Sequence, residues 1–355
     1  SNGQEKTAFG LYDKAVRLGN KEALLHRGWL YKLGNGVAKN ASKAEEDFNN
    51  AINAGYTIGH FGLYDLGKGD HHFDKALPEL EKKVREVDIV WAPRLAYQYF
   101  SGKKVDYTKA RQIWEKTAAK GHTNSMHNLG AIYSEGKGVT KDFSKAFEYY
   151  LKAAQNGYVN SQSVVAGYYR DGTGVSENLD KAVEWYRKAA AQDNENATDA
   201  LGDIYRLEKY GRQDYQEAKL WYEKAAALGS SYANSQLGWI YDYGKGVKQD
   251  WIKAAKYYKI AANGGNAYAQ NQMGDFYLFG IGGIPLDKSK ALDYYRKSAA
   301  QGNKYSKLAL EIVPQIGNKK VFTGSNQYGD KATVTTTLDG PFVFSKGYWH
   351  WNDKV

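Results

Sequence analysis

The chain has 355 residues, a formal net charge of +10, no cysteine and only five prolines. The lack of cysteine excludes disulfides, thiol catalysis and cysteine-ligated zinc, and no apolar run of about 18 residues is present that could cross a bilayer. The lysines are spread along the chain, which is typical of a solvated basic surface and argues against nucleic-acid binding. The 30 tyrosines and 38 glycines indicate one helical unit repeated many times.

The chain begins with Ser1 and not with methionine, so we expect that a signal peptide, a bacterial lipoprotein leader with its anchor, or a protease-cleaved tag has been removed. The lack of cysteine suits the cytoplasm and also a periplasmic protein that avoids disulfide chemistry. We expect a periplasmic or envelope-associated location, with the cytoplasm as the alternative.

The first predicted element is a single helix over residues 5–19, which is similar to the second helix of a pair. A complete helix pair follows, because Gly28 precedes Tyr31 by three positions and a Gly-x-Gly turn comes next. The next copy, at Tyr64, is weak because Phe61 stands where a small residue is expected.

From residue 130 onward the repeat is regular, with a period of 36 residues. Each unit has a small residue followed three positions later by tyrosine, and the pairs are Gly130 and Tyr133, Ala166 and Tyr169, Gly202 and Tyr205, Gly238 and Tyr241, and Gly274 and Tyr277. The small residue lets a second helix approach closely, and the tyrosine one turn later fills the adjacent space.

A turn and a second helix complete each unit. Gly-x-Gly permits the positive φ that ends the first helix, and an Asp or Asn caps the second one. The predicted caps include Asp142, Asp214, Asp250 and Asp287. Two units are irregular, because Leu207 to Gly211 replace one Gly-x-Gly turn and one extra residue lies around Gly282 to Pro285.

Near Pro314 the pattern changes to short β-branched segments, which predict two or three antiparallel strands. About 40 residues make too small a core to stand alone, so we expect a cap over the last repeat, with a partner-binding arm or a disordered end as the alternatives. The aromatic run Tyr348 to Trp351 is expected to be buried against the repeats or a ligand.

The run LGAIYSEGKGVTKDFSKAFEYYLKAAQNG, residues 129–157, resembles the consensus of the Sel-1-like repeat family, which is related to tetratricopeptide repeats. The likeness extends over residues 5–312. It implies an all-α protein in which residues 1–312 form a right-handed superhelical solenoid of about eight helix–turn–helix repeats, followed by a β-containing tail over 313–355. It also implies a monomeric protein-binding scaffold with no catalytic residues and no cofactor.

In solenoids of this kind the first helices line the concave face, and their positions outside the motif are free to specify a partner. Counting from the small residue and the tyrosine predicts the partner-binding residues. These are Trp29, Tyr97, Phe100, His127, Arg170, Asp199, Asp203, Arg206, Tyr232, Trp239, Asp242, Tyr243, Tyr268, Asn271, Asp275 and Phe279. Because the set is rich in Trp, Tyr, Arg and Asp, we expect a protein partner, bound mostly by the last two complete repeats.

The sequence offers little for catalysis or metal binding. His71 and His72 are adjacent on a predicted loop, where their side chains are expected to point apart, so no metal site is predicted. The glycines at 280, 282 and 283 resemble a nucleotide-binding loop, but they fall where the repeat turn belongs.

Several functions stay open. The resemblance includes immunity proteins that neutralise toxic phospholipases delivered by type VI secretion, which suggests an inhibitor of a secreted toxic effector. The alternatives are a general adaptor or chaperone-like scaffold in an envelope or signalling complex, a carbohydrate-binding protein, and a hydrolase with Asp203 and Asp242 as its carboxylates.

Overall fold

A computed structural model describes residues 2–102 and 105–315, together with the backbone of four short strands between residues 321 and 351. The described residues form eighteen α-helices, as expected for an all-α repeat protein. The chain divides into two compact units, unit 1 over residues 1–158 and unit 2 from residue 159 onward.

Unit 1 consists of a single helix followed by four helix pairs, α2–α3, α4–α5, α6–α7 and α8–α9. The single helix is the one that the sequence predicts at the start of the chain. The bounds are α1 Asn2–Arg17, α2 Ala23–Leu33, α3 Ala41–Asn53, α4 Gly59–Asp65, α5 His71–Arg85, α6 Ala92–Ser101, α7 Tyr107–Ala119, α8 Thr123–Glu135 and α9 Phe143–Gln155.

Unit 2 contains four further pairs and a last single helix. Their bounds are α10 Val159–Asp171, α11 Leu179–Ala190, α12 Glu195–Arg206, α13 Tyr215–Ala227, α14 Ser231–Tyr243, α15 Trp251–Asn263, α16 Ala267–Phe279, α17 Lys288–Ala300 and α18 Lys304–Ile312. Short 3₁₀ turns lie at Glu208–Tyr210 and Val313–Gln315. The two units therefore hold eight helix pairs, the number that the sequence predicts.

The turn between the helices of a pair is fixed by hydrogen bonds. In α8–α9, Gly136 ends the first helix in the left-handed conformation, with φ of 74°. Asp142 then accepts a hydrogen bond on its side chain from the backbone N–H of Lys145 at 2.9 Å, and its own N–H donates to the carbonyl of Tyr133 at 2.9 Å. The predicted caps Asp214, Asp250 and Asp287 accept equivalent bonds.

In five of the helix pairs the motif glycine of the first helix lies under an aromatic ring of the second helix. A Cβ added to Gly130 would be 2.7 Å from the ring of Tyr150, and one added to Gly238 would be 2.5 Å from the ring of Tyr258. Real Cβ atoms do not approach carbon so closely, so the paired helices pack at a separation that only glycine allows without adjustment. This confirms the predicted role of the small residue.

The repeated tyrosine stacks on a tyrosine of the second helix of its pair. The ring of Tyr133 stacks on that of Tyr149, with 5.7 Å between centroids and 5° between planes. Lys145 Nζ lies 4.3 Å from the Tyr133 centroid. The same stacking recurs for Tyr241 with Tyr257 and for Tyr277 with Tyr294, and the same lysine contact recurs for Lys181 on Tyr169, Lys253 on Tyr241 and Lys290 on Tyr277.

The tail contains four strands, β1 Val321–Ser325, β2 Lys331–Thr335, β3 Phe342–Ser345 and β4 Tyr348–Trp351. β1 pairs antiparallel with β2, and β3 pairs antiparallel with β4. The side chains of the aromatic run in β4 lie outside the described residues, so the role of the tail stays a prediction. Among the described residues, no helix has the length and apolar character needed to cross a membrane.

Replacing Gly238 by Ala is expected to destabilise the protein by about 1–2 kcal/mol, because overpacking against Tyr258 outweighs the better helix propensity of alanine. The matched control is Gly167→Ala in α10, where a Cβ would be 3.5 Å from the Tyr186 hydroxyl. There the propensity gain of about 0.5–1 kcal/mol is expected to appear. Urea unfolding measures both changes, and a gain in both variants would contradict the proposed packing constraint.

Candidate protein-binding surfaces

The first helices of unit 1 surround a cavity of about 940 Å³, which we call the unit 1 cavity. Its walls come from α2, α4, α6 and α8, with loop residues between them. The lining residues are Trp29, Lys32, Leu33, Phe61, Asp65, Ile89, Val90, Pro93, Arg94, Tyr97, Gln98, His122, Asn124, His127, Asn128 and Tyr158. Three residues that the sequence predicts to bind a partner, Trp29, Tyr97 and His127, are therefore brought together here.

These three residues differ in their exposure to solvent. Trp29 is 7% exposed, whereas Tyr97 is 55% exposed. His127 is half-buried between the rings of Tyr150 and Tyr158, at 5.2 and 5.1 Å between centroids. Burial lowers the pKa of the His127 imidazole, which favours the neutral ring at pH 7.

Phe100, the fourth residue that the sequence predicts for this unit, does not line the unit 1 cavity. Its ring packs against Trp114 at 5.3 Å and Tyr107 at 5.7 Å, and Lys137 Nζ lies 4.3 Å from its centroid. The structure therefore places Phe100 among packing residues of α6 and α7.

In unit 2 the predicted carboxylates accept hydrogen bonds from tyrosines of the same unit. Asp203 accepts from the hydroxyls of Tyr222 at 2.6 Å and Tyr232 at 2.7 Å, and Arg206 lies 3.2 Å from the same carboxylate. Arg206 also donates to the Tyr222 hydroxyl at 3.0 Å. This network orients the carboxylate before any partner arrives.

Asp242 and Asp275 also accept hydrogen bonds from tyrosine hydroxyls, but they differ in exposure. Asp242 has no exposed surface and accepts from the Tyr258 hydroxyl at 3.2 Å. Asp275 is half-buried and accepts from the Tyr295 hydroxyl at 2.6 Å, and burial raises the pKa of its carboxyl to about 6. The hydrolase alternative requires two carboxylates that face a substrate, and the burial of Asp242 gives that arrangement no support.

Asp199 has a free acceptor. Its Oδ2 accepts from the Ser230 hydroxyl at 2.8 Å, whereas its buried Oδ1 has no partner among the described residues. Burial is the main reason that the pKa of this carboxyl rises to about 6, and the nearby Glu195 and Asp203 add to the effect.

Aromatic side chains lie beside these carboxylates. Trp239 is half-buried, with the ring of Tyr215 at 6.0 Å and that of Tyr243 at 5.5 Å. Tyr243 is 37% exposed and Tyr268 is 39% exposed. We call this set the acidic–aromatic face, and it consists of Asp199, Asp203, Tyr232, Trp239, Tyr243, Tyr268 and Asp275.

The remaining predicted residues of unit 2 have local partners or packing roles. Arg170 donates to its neighbour Asp171 at 2.7 Å through two nitrogens. Asn271 accepts from the Ser306 hydroxyl at 2.7 Å, and Phe279 is half-buried at the end of α16. The roles of these residues in binding stay predictions.

The sequence interpretation missed several residues of the unit 1 cavity. Lys32 directly follows Tyr31, a position that the counting rule selects in other repeats. Arg94 lies two positions before Ala96, and Asn128 lies two positions before Gly130. A counting rule that also includes the position two residues before the small residue selects both Arg94 and Asn128.

The histidine pair also differs from expectation. His71 and His72 lie in the first turn of α5, and their rings are 4.1 Å apart instead of pointing away from each other. His72 Nδ1 lies 2.9 Å from His60 Nδ1. Within the described ranges, no group of three or more His, Asp or Glu side chains could hold a metal ion.

Seven segments of the chain match the family model of the Sel1 repeat, and together they exceed half of its length. They are residues 21–56, 94–122, 123–158, 160–194, 197–230, 231–266 and 267–303. The chain belongs to the Sel1 repeat family. The helix pair α4–α5 lies outside the matched segments, in agreement with the weak repeat copy at Tyr64. Sel1 repeat proteins act as protein-interaction scaffolds, in agreement with the expected function class.

Solved structures support the same fold. A protective antigen with an SLR fold from uropathogenic Escherichia coli is 28% identical, with a TM-score of 0.64 over 88% of this chain and 68% of that chain. A Sel1 repeat protein from Oxalobacter formigenes is 35% identical, with a TM-score of 0.55 over 62% of this chain and 86% of that chain.

An immunity protein from Pseudomonas aeruginosa also matches, at 22% identity and a TM-score of 0.36, over 63% of this chain and 82% of that chain. A likeness at that level supports no argument about function. A comparison with curated proteins returns no match.

Asp199→Asn is expected to stabilise this Sel1 repeat protein at pH 8 by about 1–2 kcal/mol and to change little at pH 4. The folded state binds the Asp199 proton more tightly than the unfolded state, so the wild type loses stability as pH rises from about 4 to about 6. Asparagine cannot ionise, and its carbonyl can still accept from Ser230. Urea unfolding at both pH values measures the effect, with Glu148→Gln on α9 as an exposed carboxylate control. A gain of equal size at pH 4 would contradict this assignment.

Proposed function

We propose that this Sel1 repeat protein binds one specific protein partner through the acidic–aromatic face of unit 2. The observation that carries the proposal is the pairing of partly exposed aromatic rings with carboxylates that are already oriented by tyrosine hydroxyls. Trp and Tyr contribute most to the binding energy of protein interfaces, because they bury large rigid surfaces. Oriented carboxylates add little ordering cost on binding.

The chemistry of the acidic–aromatic face favours a partner that presents arginine or lysine. Asp203 and Asp275 keep acceptor capacity beyond their tyrosine bonds, since a carboxylate accepts about four hydrogen bonds. A guanidinium group can pair with such carboxylates and stack on nearby rings such as those of Tyr243 and Tyr268.

We further propose that the chain inhibits its partner, as an immunity protein that neutralises a secreted toxic effector in the periplasm or envelope. This proposal comes from the resemblance stated with the sequence. The alternative is an adaptor or chaperone-like scaffold that binds several proteins. Cross-linking in the native host followed by mass spectrometry separates the two, because an inhibitor yields one dominant partner at fixed stoichiometry and an adaptor yields several.

Trp239→Ala and Tyr243→Ala are each expected to weaken binding of that partner by about 2–4 kcal/mol, as interface hot spots do. Isothermal titration calorimetry with the purified partner measures the dissociation constant. Ile252→Ala serves as the control, because Ile252 is 70% exposed on the second helix α15. Circular dichroism verifies that each variant is folded. An unchanged dissociation constant in both folded variants would place the interface elsewhere.

A further inference from the structure

Arg94 is a largely buried cation without a counter-ion in the part of the chain that the structure describes. It lines the unit 1 cavity, and its buried Nη1 atom has no hydrogen-bond partner there. Burial lowers the pKa of the Arg94 guanidinium to about 10, so the side chain is still charged at pH 7. Buried charges in proteins are normally paired, because desolvation of an isolated charge is costly.

The guanidinium is held in place by two aromatic rings. It lies 4.2 Å from the ring centroid of Trp29 and 5.0 Å from that of Trp91. Trp29 is itself packed against Phe48 and Phe61, at 5.7 and 5.9 Å between centroids. These contacts fix the position of the positive charge, but they do not neutralise it.

A second donor lies beside the guanidinium. The Nε1 atom of Trp29 is buried and also has no acceptor among the described residues. Buried N–H groups without acceptors are rare, because desolvation of an unpaired donor is costly. Two unsatisfied donors on stacked side chains therefore indicate that an external acceptor completes this part of the cavity.

The position of Arg94 in its helix also favours the binding of an anion. Arg94 lies in the first turn of α6, where the N-terminal end of the helix dipole disfavours positive charge. The same dipole attracts an anion. A cation at this place lowers helix stability and strengthens anion binding.

The other charged residues that line the unit 1 cavity do not compensate Arg94. Lys32 lies 4.8 Å from the Trp29 centroid and forms an ion pair with Asp65, so these two charges balance each other. Burial, with Arg94 and Lys39 nearby, lowers the pKa of Lys32 to about 8, which leaves the ammonium mostly charged at neutral pH. Among the described residues that line the cavity, the positive charge of Arg94 is therefore left without a counter-ion.

We propose that the unit 1 cavity binds a carboxylate presented by a protein segment, with Arg94 as its charge partner and Trp29 Nε1–H as a second donor. A carboxylate fits better than a phosphate group, because the Asp65 carboxylate in the wall repels a doubly charged anion more strongly. The apolar wall of Leu33, Ile89 and Val90 suits apolar side chains of such a segment. The amides of Gln98, Asn124 and Asn128 can bond to its backbone.

This site is independent of the acidic–aromatic face, and it is tested without the partner. The minimal probe is sodium propionate, compared with sodium chloride and sodium phosphate at equal ionic strength. Propionate is expected to raise the melting temperature of the wild type by at least about 2 °C over chloride, by binding the folded state, and to shift the indole N–H resonance of Trp29. The variant Arg94→Met keeps an unbranched side chain but removes the guanidinium, and it is expected to lose both effects.

Two controls make the result decisive. Lys259→Met removes an exposed positive charge of α15, in unit 2, and is expected to respond to propionate as the wild type does. Arg94→Met is expected to melt at or above the wild-type temperature without ligand, because it removes an uncompensated charge. An equal propionate response in Arg94→Met, or a stronger response to phosphate than to propionate, would overturn the proposal.

The source of the carboxylate is decided with four hexapeptides of the same apolar sequence. They carry an internal Glu or Gln and end in a free carboxylate or an amide. A preference of about tenfold or more for internal Glu identifies an acidic side chain, and the same preference for the free end identifies a chain terminus. Both preferences should disappear in Arg94→Met and persist in Trp239→Ala. Equal affinity of all four peptides for the wild type would contradict the proposed recognition.

Discussion

The close contact between a first-helix glycine and a second-helix tyrosine sets both the packing of the repeat and the chemistry of its inner residues. In unit 2 the ring of Tyr222 lies on Gly202 while its hydroxyl donates to Asp203. Tyr295 relates in the same way to Gly274 and Asp275. The ring can reach the carboxylate only because the glycine has no side chain to hold the two helices apart. One residue therefore contributes to the core and to the candidate site at the same time.

Much of the fold could be predicted because its determinants are local. The small residue, the tyrosine, the turn glycine and the capping carboxylate act within about 20 residues of one another, and their period of 36 makes each copy support the others. Tyr64 and its neighbours are the exception. There Phe61 fills the place of a small residue, which weakens the repeat pattern although the helix pair still forms.

The candidate sites could be predicted only in part, because side-chain burial depends on neighbouring repeats. The sequence selects Trp239, Tyr243 and Asp203, which lie together on one face of unit 2. It also selects Asp242. This carboxylate is fully buried, although it is adjacent in the helix to Tyr243, which is partly exposed. The sequence does not point to Arg94, because its significance lies in the lack of a counter-ion among the described residues, and no sequence pattern records which partner a charge lacks.

The two units offer opposite chemistry to a partner. The acidic–aromatic face of unit 2 presents oriented acceptors, whereas the unit 1 cavity presents donors and a positive charge that has no local partner. Each surface is complete within its own unit. The segment that binds the acidic–aromatic face is therefore expected to be basic, and the segment that binds the unit 1 cavity is expected to be acidic.

The irregular turn after α16 shows where the chain accepts a change in length. Gly274 and Tyr295 are separated by one residue more than Gly202 and Tyr222, yet both pairs make the same ring contact. The extra residue is absorbed near Gly283, whose surroundings are open. Fluorophores, affinity tags or short epitopes inserted at this bend would therefore leave the helix pairing undisturbed, which makes it a convenient handle for tracking the protein in living cells.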